Sequence, residues 1–245
     1  MFRWLSVLII LAVISFSSHA DSQDSAKQVE AIKAKLLESF PPHSPDSVSK
    51  SPVEGLYEAV YGTQVIYVTD DARYLIQGVV MDLDDGKRDI TEVASSRARK
   101  KYMKQVEEQE KIAFGSENPK HTITVFTDID CGYCRKLHNE MDQYASYGIK
   151  VNYLLFPRNG ITSPSYSKAV SVWCSKDRAE ALTKAKNGEE LLAENCDNPV
   201  AAHFELGQKI GVTGTPAILT ADGDLMPGYL PAKQLAQRLD EMANK

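Results

Sequence analysis

The sequence predicts two domains of different class: a small α+β domain, then a linker helix, then an α/β domain. Three observations predict this. A helix and short β-branched runs occupy the first part of the chain, a strand–helix–strand pattern lies between His121 and Phe156, and a highly charged helical stretch separates the two. A chain of 245 residues is long enough for one or two domains. The expected ranges are 21–82 for the N-terminal domain, 83–114 for the linker helix and 115–245 for the C-terminal domain.

Composition and charge exclude several classes of protein. Hydrophobic residues make up 43% of the chain and charged residues 25%, which is ordinary for globular proteins and rules out wholesale disorder or a collagen-like repeat. The net charge is −5, and the basic residues between Arg97 and Lys104 are followed closely by Glu107, Glu108 and Glu110. Because phosphates and anionic lipids require basic contacts, we expect no nucleic-acid partner and no binding to an anionic membrane surface.

Residues 1–20 have the features of a secretory signal peptide. Arg3 is followed by the uncharged, mostly apolar run Trp4–Phe16, and Ser18 and Ala20 offer small residues for cleavage. An uncleaved anchor is the less favoured alternative, since a spanning helix needs about 20 apolar residues. No later segment is apolar enough to span a bilayer. We therefore expect an exported, soluble protein without membrane insertion, in an oxidising compartment.

The N-terminal domain is predicted to pack one helix on a small antiparallel sheet. Apolar residues recur at helical spacing from Asp24 to Phe40, and Pro41-Pro42 and Pro45 end that helix. A domain of this size buries a small fraction of its surface, so a partner surface is expected. The predicted strands are Gly55–Tyr61, Gln64–Thr69 and Tyr74–Met81.

The stretch from Thr91 to Phe114 is helical in pattern and polar on nearly every side. Such a helix often bridges two domains through solvent, and we interpret it as a connecting helix. A surface helix of one continuous domain is the alternative that the sequence leaves open.

The C-terminal domain is predicted from a βαβ unit. Strand His121–Ile129, helix Cys131–Tyr147 and strand Val151–Phe156 follow one another at a spacing that makes the two strands parallel. A mostly helical stretch then runs from Ser163 to Ile210, with helix starts at Ser163-Pro164 and Asn198-Pro199. The remaining expected elements are a hairpin of Ala217–Thr220 and Leu225–Met226 across Asp222-Gly223, and a final helix Pro231–Met242.

The chemistry is predicted at Cys131-Gly132-Tyr133-Cys134, where a strand ends and a helix begins. A cysteine at a helix N-terminus meets unpaired N–H groups and the positive end of the helix dipole, both of which stabilise a thiolate. The spacing lets Cys134 reach Cys131, so a disulfide can form and break there. Zinc sites also use such a motif, but its position in a βαβ unit favours redox chemistry.

The two other cysteines, Cys174 and Cys196, are expected to form a structural disulfide in an oxidising compartment. Closing a loop of about 20 residues contributes about 3 kcal/mol in the chain-entropy interpretation. A zinc site of all four cysteines is a disfavoured alternative, because the second pair lacks the close spacing. His138 is expected to be a solvated histidine on a helix face rather than a metal ligand.

The segment Gly211–Ala217 places Pro216 directly before a strand, where the missing N–H costs no ladder bond. The sequence by itself leaves a cis and a trans peptide about equally favoured, and the neighbouring redox motif favours cis. A cis peptide would bring the backbone of Thr215 beside the cysteines.

Taken together, these motifs resemble the DsbC/DsbG family of exported disulfide isomerases. The resemblance covers nearly all of the chain after residue 20, in the same order. One departure is Asp130, where we expect a neutral residue such as Thr; a carboxylate pointing inward would raise the pKa of Cys131, and one pointing to solvent would not. The segments that carry the resemblance are Phe126–Cys134 with Lys136–His138, Leu155–Arg158, Thr213–Ala217, Tyr67–Asp71 and Leu75–Gly78.

The resemblance implies a thioredoxin fold with a helical insertion and a cystatin-like N-terminal dimerisation domain, forming a V-shaped periplasmic homodimer. It implies that Cys131 attacks misfolded, disulfide-containing exported proteins, and that Cys134 or a substrate thiol resolves the product. It also implies substrate contacts at Thr215, Pro216, Gly132 and Tyr133, electrons from the membrane reductase DsbD, chaperone-like binding of unfolded chains, and neither metal nor organic cofactor. The alternatives left open are a dithiol oxidase of the DsbA type and a DsbG-like chaperone or reductase.

Overall fold

The computed structural model describes residues 17–86 and 88–244. The expected signal peptide, residues 1–20, lies outside them apart from its last residues, which begin the first helix. The chain divides into two compact units. The first contains the residues up to Gly78 except Gly62–Val65, and the second contains Gly62–Val65 together with the residues from Val79 onward. Within the described residues, no helix combines the length and the apolar character needed to cross a membrane.

The first unit is a helix packed on a small sheet. Ile32 and Leu36 of the helix are buried against the sheet residues Tyr57, Ala59 and Ile66. The sheet order is β1-β2-β3-β4, which leaves β4 at an edge. Its elements are α1 (Ser17–Ser39), β1 (Ser47–Lys50), β2 (Leu56–Tyr61), β3 (Gln64–Thr69) and β4 (Leu75–Ile76).

Two of the three strands predicted for this unit are confirmed, as β2 and β3. The third is much shorter than predicted, since only Leu75 and Ile76 of the run Tyr74–Met81 pair with β3. The sheet gains instead the polar strand β1, which pairs antiparallel with β2 and has no apolar pattern that would predict it.

The second unit begins with elements that correct the predicted linker helix. The α-helix ends at Met103, well before Phe114, and the apolar residues from Ile112 onward instead join the main sheet by pairing antiparallel with a strand far along the chain. The elements are β5 (Met81–Asp82), β6 (Arg88–Asp89), α2 (Ile90–Met103), a 3-10 turn (Glu108–Glu110) and β7 (Ile112–Gly115).

The sequence predicted that this helix bridges two domains through solvent. Instead, α2 packs on its own unit. Arg99 is buried and donates hydrogen bonds to the carbonyl oxygens of Ile210 and Gly223, at 3.2 and 3.4 Å. Its guanidinium also pairs with Glu92 at 2.6 Å. The alternative left open by the sequence, a surface helix of a continuous domain, therefore describes α2.

The βαβ unit is confirmed, with one interruption. Strand β8 (His121–Thr127) pairs in parallel with β9 (Ile149–Leu155). The helix between them is divided at Glu140 into α3 (Gly132–Asn139) and α4 (Met141–Ser146), whereas a single helix to Tyr147 was predicted.

The rest of the chain completes a five-stranded sheet of order β11-β10-β8-β9-β7, with β8 at its centre and a helical insertion after β9. The core of this unit is formed by apolar side chains of the sheet, of the insertion and of the last helix. Because β8 is central, the turn that follows it emerges from the middle of the sheet. The remaining elements are α5 (Pro164–Cys174), α6 (Arg178–Lys186), α7 (Val200–Lys209), β10 (Ala217–Thr220), β11 (Leu225–Pro227) and α8 (Ala232–Ala243).

Candidate active site

Cys131 lies at the N-cap of α3, directly after the turn that leaves the central strand. Its sulfur accepts a hydrogen bond from the backbone N–H of Cys134 at 3.4 Å. Its thiol donates to the carbonyl oxygen of Thr215 at 3.2 Å. The sulfur therefore occupies the place where a helix N-terminus offers unpaired N–H groups, which favours the thiolate.

Cys131 and Cys134 are both unpaired thiols, and both are buried. The hydrogen bond from the Cys134 thiol holds the pKa of Cys131 well below its usual range; the Thr215 hydroxyl, the Cys134 N–H and the Arg158 guanidinium act in the same direction, against burial. Burial raises the pKa of Cys134, and the hydrogen bond it gives to Cys131 raises it further. The site thus has one thiol ready to ionise and a second that holds its proton.

The loop before β10 lies against the two cysteines. The Thr215–Pro216 peptide is cis, as the redox motif led us to expect. The Thr215 hydroxyl is buried, and within the described part of the chain it has no partner with hydrogen-bond geometry. The hydroxyl proton of Thr215 is therefore available to either cysteine sulfur when that sulfur becomes a thiolate. Accordingly, the Thr215 side chain lowers the pKa of both Cys131 and Cys134.

A buried carboxylate that sequence reasoning missed holds the turn before Cys131. Asp128 is 2% exposed and accepts hydrogen bonds from the backbone N–H groups of Asp130 and Arg158, each at 2.8 Å. Its Oδ2 also pairs with Nε of Arg158 at 3.3 Å. Asp128 thereby fixes the guanidinium that helps to lower the pKa of Cys131.

Asp130, the one departure from the family pattern, points away from the nucleophile. Its carboxylate accepts from Lys168 Nζ at 2.8 and 3.0 Å and from Arg135 at 3.2 Å. Neither its charge nor a hydrogen bond from it is among the main causes of the low pKa of Cys131. Of the two orientations considered from the sequence, the structure has the one directed away from the nucleophile.

The two residues between the cysteines face outward. A side chain at Gly132 would meet no atom within 4 Å, so the surface there is open. Tyr133 is 65% exposed and stacks on Tyr229 with ring centroids 6.3 Å apart. Lys136 Nζ lies 4.7 Å from the centroid of the Tyr229 ring. Tyr229 comes from the segment after β11, so no local pattern in the sequence links it to the motif.

Cys174 and Cys196 are joined by a disulfide, with Cα atoms 5.7 Å apart. In that form neither offers a thiolate, which contradicts the alternative of a four-cysteine zinc site. Residues 17–86 and 88–244 contain no group of three or more His, Cys, Asp or Glu side chains arranged to hold a metal.

The prediction of a solvated His138 is wrong. The ring is 6% exposed, lies 3.0 Å from Thr183 Oγ1 and 3.4 Å from the Tyr153 hydroxyl, and packs edge-on against Phe114. Burial lowers the pKa of His138 to about 4. The cause of the error is not local, because α6 and β7, which cover the ring, are distant in sequence.

Comparison with known proteins extends over both units. Residues 106–243 match the family described as "Thioredoxin-like domain", and residues 18–92 match "Disulfide bond isomerase protein N-terminal domain". The chain is 35% identical over 236 residues to the thiol:disulfide interchange protein DsbC of Escherichia coli K12, covering 96% of this chain and 94% of that protein.

A second relative, the thiol:disulfide interchange protein DsbC of Salmonella typhimurium, is 36% identical over 241 residues, covering 98% of this chain and 95% of that protein. A crystal structure of a disulfide interchange protein from Neisseria gonorrhoeae matches with a TM-score of 0.50 and 30% identity, covering 56% of this chain and 97% of that one. The likeness thus reaches from the first helix to the last.

Proposed function

This chain belongs to the DsbC family of thiol:disulfide interchange proteins, and from that premise we propose that it isomerises incorrect disulfides in exported proteins through Cys131 and Cys134. It is a thiol:disulfide oxidoreductase of thioredoxin-like fold. The observation that carries the proposal is the opposite shift in pKa of the two cysteines, which makes Cys131 the attacking sulfur.

The reaction begins when the Cys131 thiolate attacks a substrate disulfide. A bond forms between Cys131 and one substrate sulfur, the substrate disulfide breaks, and the other sulfur leaves as a thiolate. In isomerisation, another substrate thiolate attacks the mixed disulfide, forms a new substrate disulfide and returns Cys131 as a thiolate. In reduction, Cys134 attacks instead, which leaves Cys131 and Cys134 oxidised and the substrate reduced by two electrons.

The substrate segment is proposed to lie across the surface formed by Gly132, Tyr133, Thr215 and Pro216. Open space at Gly132 admits a chain close to the Cys131 sulfur. The stacked rings of Tyr133 and Tyr229 offer an exposed aromatic surface for apolar side chains of an unfolded segment. Such contacts do not depend on one sequence, which suits an enzyme with many clients and a chaperone-like activity.

We propose that the protein is a homodimer formed through its N-terminal unit. Strand β4 is at the edge of its sheet and is exposed, with Leu75 and Ile76 accessible for 41% and 44% of their surface. Tyr74 beside them is 55% exposed. An exposed apolar edge strand can pair with a second copy across a two-fold axis, which satisfies its backbone groups. Sedimentation at micromolar concentration tests this, and a monomer would contradict it.

The proposed compartment is the periplasm, reached through removal of residues 1–20 as a signal peptide. Resolution by Cys134 leaves Cys131 and Cys134 oxidised, so a two-electron reductant is required there to restore the thiols, and the membrane reductase DsbD is the proposed donor. Reduced Cys131 is needed for isomerisation, so loss of the donor would leave the pair oxidised and inactive as an isomerase.

The experiment that tests the proposal is recovery of a scrambled multi-disulfide protein in a glutathione buffer. The enzyme is expected to speed recovery, and Cys131→Ser is expected to abolish the acceleration. Oxidation of a fully reduced substrate is measured in parallel, because a dithiol oxidase would excel there. Recovery that is unchanged in Cys131→Ser, or activity confined to oxidation, would contradict the proposal.

A further inference from the structure

Lys186, the last residue of α6, is a buried charged group that the exchange reaction described above does not use. The residue is 2% exposed, although lysine side chains almost always reach water. Burying an ammonium group is costly unless its surroundings compensate for the lost water. The position of the side chain therefore calls for a reason beyond packing.

The contacts of Lys186 lie directly beneath the active-site turn. Its Nζ donates to Thr127 Oγ1 at 2.8 Å and to the carbonyl oxygen of Asp128 at 3.4 Å. The same ammonium group lies 5.6 Å from the centroid of the Tyr153 ring. These partners are all neutral, and among the described residues no carboxylate lies within ion-pair distance of Lys186. The Asp128 carboxylate acts on the ammonium group from farther away and pairs with Arg158 instead. The cation is therefore held at the buried end of the motif without a counter-charge in direct contact.

Cys134 is the group placed to supply that counter-charge. It is 1% exposed, on the buried face of α3, which packs against α6. The ammonium group of Lys186 acts to lower the pKa of Cys134, whereas burial and the hydrogen bond to Cys131 raise it. Burial lowers the pKa of Lys186 to about 8, and the nearby thiolates act against that lowering.

Four further groups act on Cys134 or are acted on by it: the Thr215 side chain, the Asp128 backbone, Arg158 and Tyr153. Thr215 and the Asp128 backbone lower its pKa, and the Arg158 guanidinium is attracted to its thiolate. Tyr153 acts in the opposite direction, since its ionised form would repel the Cys134 thiolate. Of these, Arg158 is 42% exposed at its side chain and Lys186 is the cation enclosed with the sulfur.

We infer that Lys186 is a positioning residue whose buried positive charge stabilises the Cys134 thiolate, and so sets how often Cys134 resolves the mixed disulfide. The inference rests on the proposed roles of the two cysteines. Once Cys131 is bonded to substrate it carries no charge, and Cys134 becomes the anion that Lys186 can stabilise.

In the resolving step, the Cys134 thiol loses its proton to solvent and its thiolate attacks the sulfur of Cys131. The bond between Cys131 and the substrate sulfur breaks, and that sulfur leaves with the electron pair as a thiolate. The Cys131–Cys134 disulfide forms, so the pair is oxidised as the substrate is reduced. Faster resolution favours reduction and slower resolution leaves more time for isomerisation, so Lys186 influences the partition between them.

The test is rapid mixing of the reduced full-length protein with the aromatic disulfide 5,5′-dithiobis(2-nitrobenzoate), which releases a coloured thiolate at each step. The first release reports attack by Cys131 and the second reports resolution by Cys134. In Lys186→Met the second release is expected to be slower by about tenfold or more at neutral pH, with its pH midpoint raised by about one unit or more. The first release is expected to change by less than about threefold, because the hydrogen bond from Cys134 is the leading cause of the low pKa of Cys131 and Lys186 is not among its main causes.

Lys184→Met is the matched control, since Lys184 lies on the same helix but is exposed and paired with Glu180 at 2.6 Å. Both releases are expected to stay at their wild-type rates in this variant. Urea unfolding checks that Lys186→Met folds, and Lys186→Gln, which keeps hydrogen-bonding capacity without charge, gives the same expected slowing if it does not.

An unchanged second release and an unchanged pH midpoint in a folded Lys186 variant would overturn the inference and leave the proposed function intact. A first release that persists in Cys131→Ser would contradict the proposed function, and with it the inference. A slower second release with an unshifted pH midpoint would assign Lys186 a packing role and also overturn the inference.

Discussion

The two cysteine pairs of the second unit differ in the helix end at which their first member lies. Cys131 is the N-cap of α3, where its sulfur meets a backbone N–H, whereas Cys174 is the last residue of α5. The positive end of a helix dipole stabilises a thiolate and the negative end does not. The pair at the N-terminus consists of thiols, and the pair that includes the C-terminal position is bonded.

The comparison teaches that helix position and neighbouring donors, more than the cysteine itself, decide which sulfur exchanges. The Cys134 thiol and N–H, the hydroxyl of Thr215 and the guanidinium of Arg158 all act to favour the Cys131 thiolate. Cys174 packs at the edge of the core of the unit instead, and its partner Cys196 lies in the loop before α7. One pair is arranged for exchange and the other closes the helical insertion.

The largest effect is expected from Cys134→Ala. Net reduction of a small disulfide should be lost, because nothing in the protein resolves the mixed disulfide at Cys131, and the covalent adduct should accumulate. Its mass can be measured directly. Since the Cys134 thiol is the leading cause of the low pKa of Cys131, that pKa should also rise. Undiminished net reduction would show that another thiol resolves the adduct.

A smaller effect is expected when the second pair is removed. The double substitution Cys174→Ala and Cys196→Ala should lower the free energy of unfolding by about 2–4 kcal/mol, because the disulfide no longer restricts the unfolded chain. Disulfide exchange by the folded protein should proceed at the wild-type rate. Urea denaturation and the rate of recovery of a scrambled substrate measure the two quantities. A large loss of disulfide exchange at urea concentrations below the unfolding transition would show that the Cys174–Cys196 disulfide also supports catalysis, and would contradict its purely structural role.

The smallest effect is expected at the unusual residue beside the nucleophile. In Asp130→Asn, Lys168 and Arg135 lose their carboxylate partner, so the pKa of Cys131 should fall slightly, by less than about half a unit, as is typical of exposed charges. The pH dependence of alkylation by iodoacetamide measures it. A shift of more than about one unit would mean that Asp130 acts on the sulfur directly.

Local patterns predicted the parts of the molecule that local physics determines. The apolar and β-branched runs of β2, β3 and β8, the cap at Ser163 and the motif at the start of α3 all follow from neighbouring residues. The Ser163 hydroxyl, for example, accepts from the backbone N–H of Tyr166, as a residue before an N-terminal proline is expected to do.

The errors occurred where distant segments meet. Residues from Ile112 looked like the end of a charged helix, yet they pair with β9 as an edge strand. His138 was predicted to be solvated, but it is covered by elements far along the chain. Asp128, Arg158 and Tyr229 were missed at the site for the same reason, since only the fold brings them to the cysteines.

The most direct test of the central claim is selective alkylation of the reduced protein at about pH 6, with the modified cysteine identified by mass spectrometry. Because the hydrogen bonds at Cys131 hold its pKa below its usual range and burial raises that of Cys134, only Cys131 is a thiolate under these conditions. We predict that Cys131 is modified rapidly and that Cys134 stays unmodified. Equal modification of both residues, or modification of Cys134 first, would contradict the account.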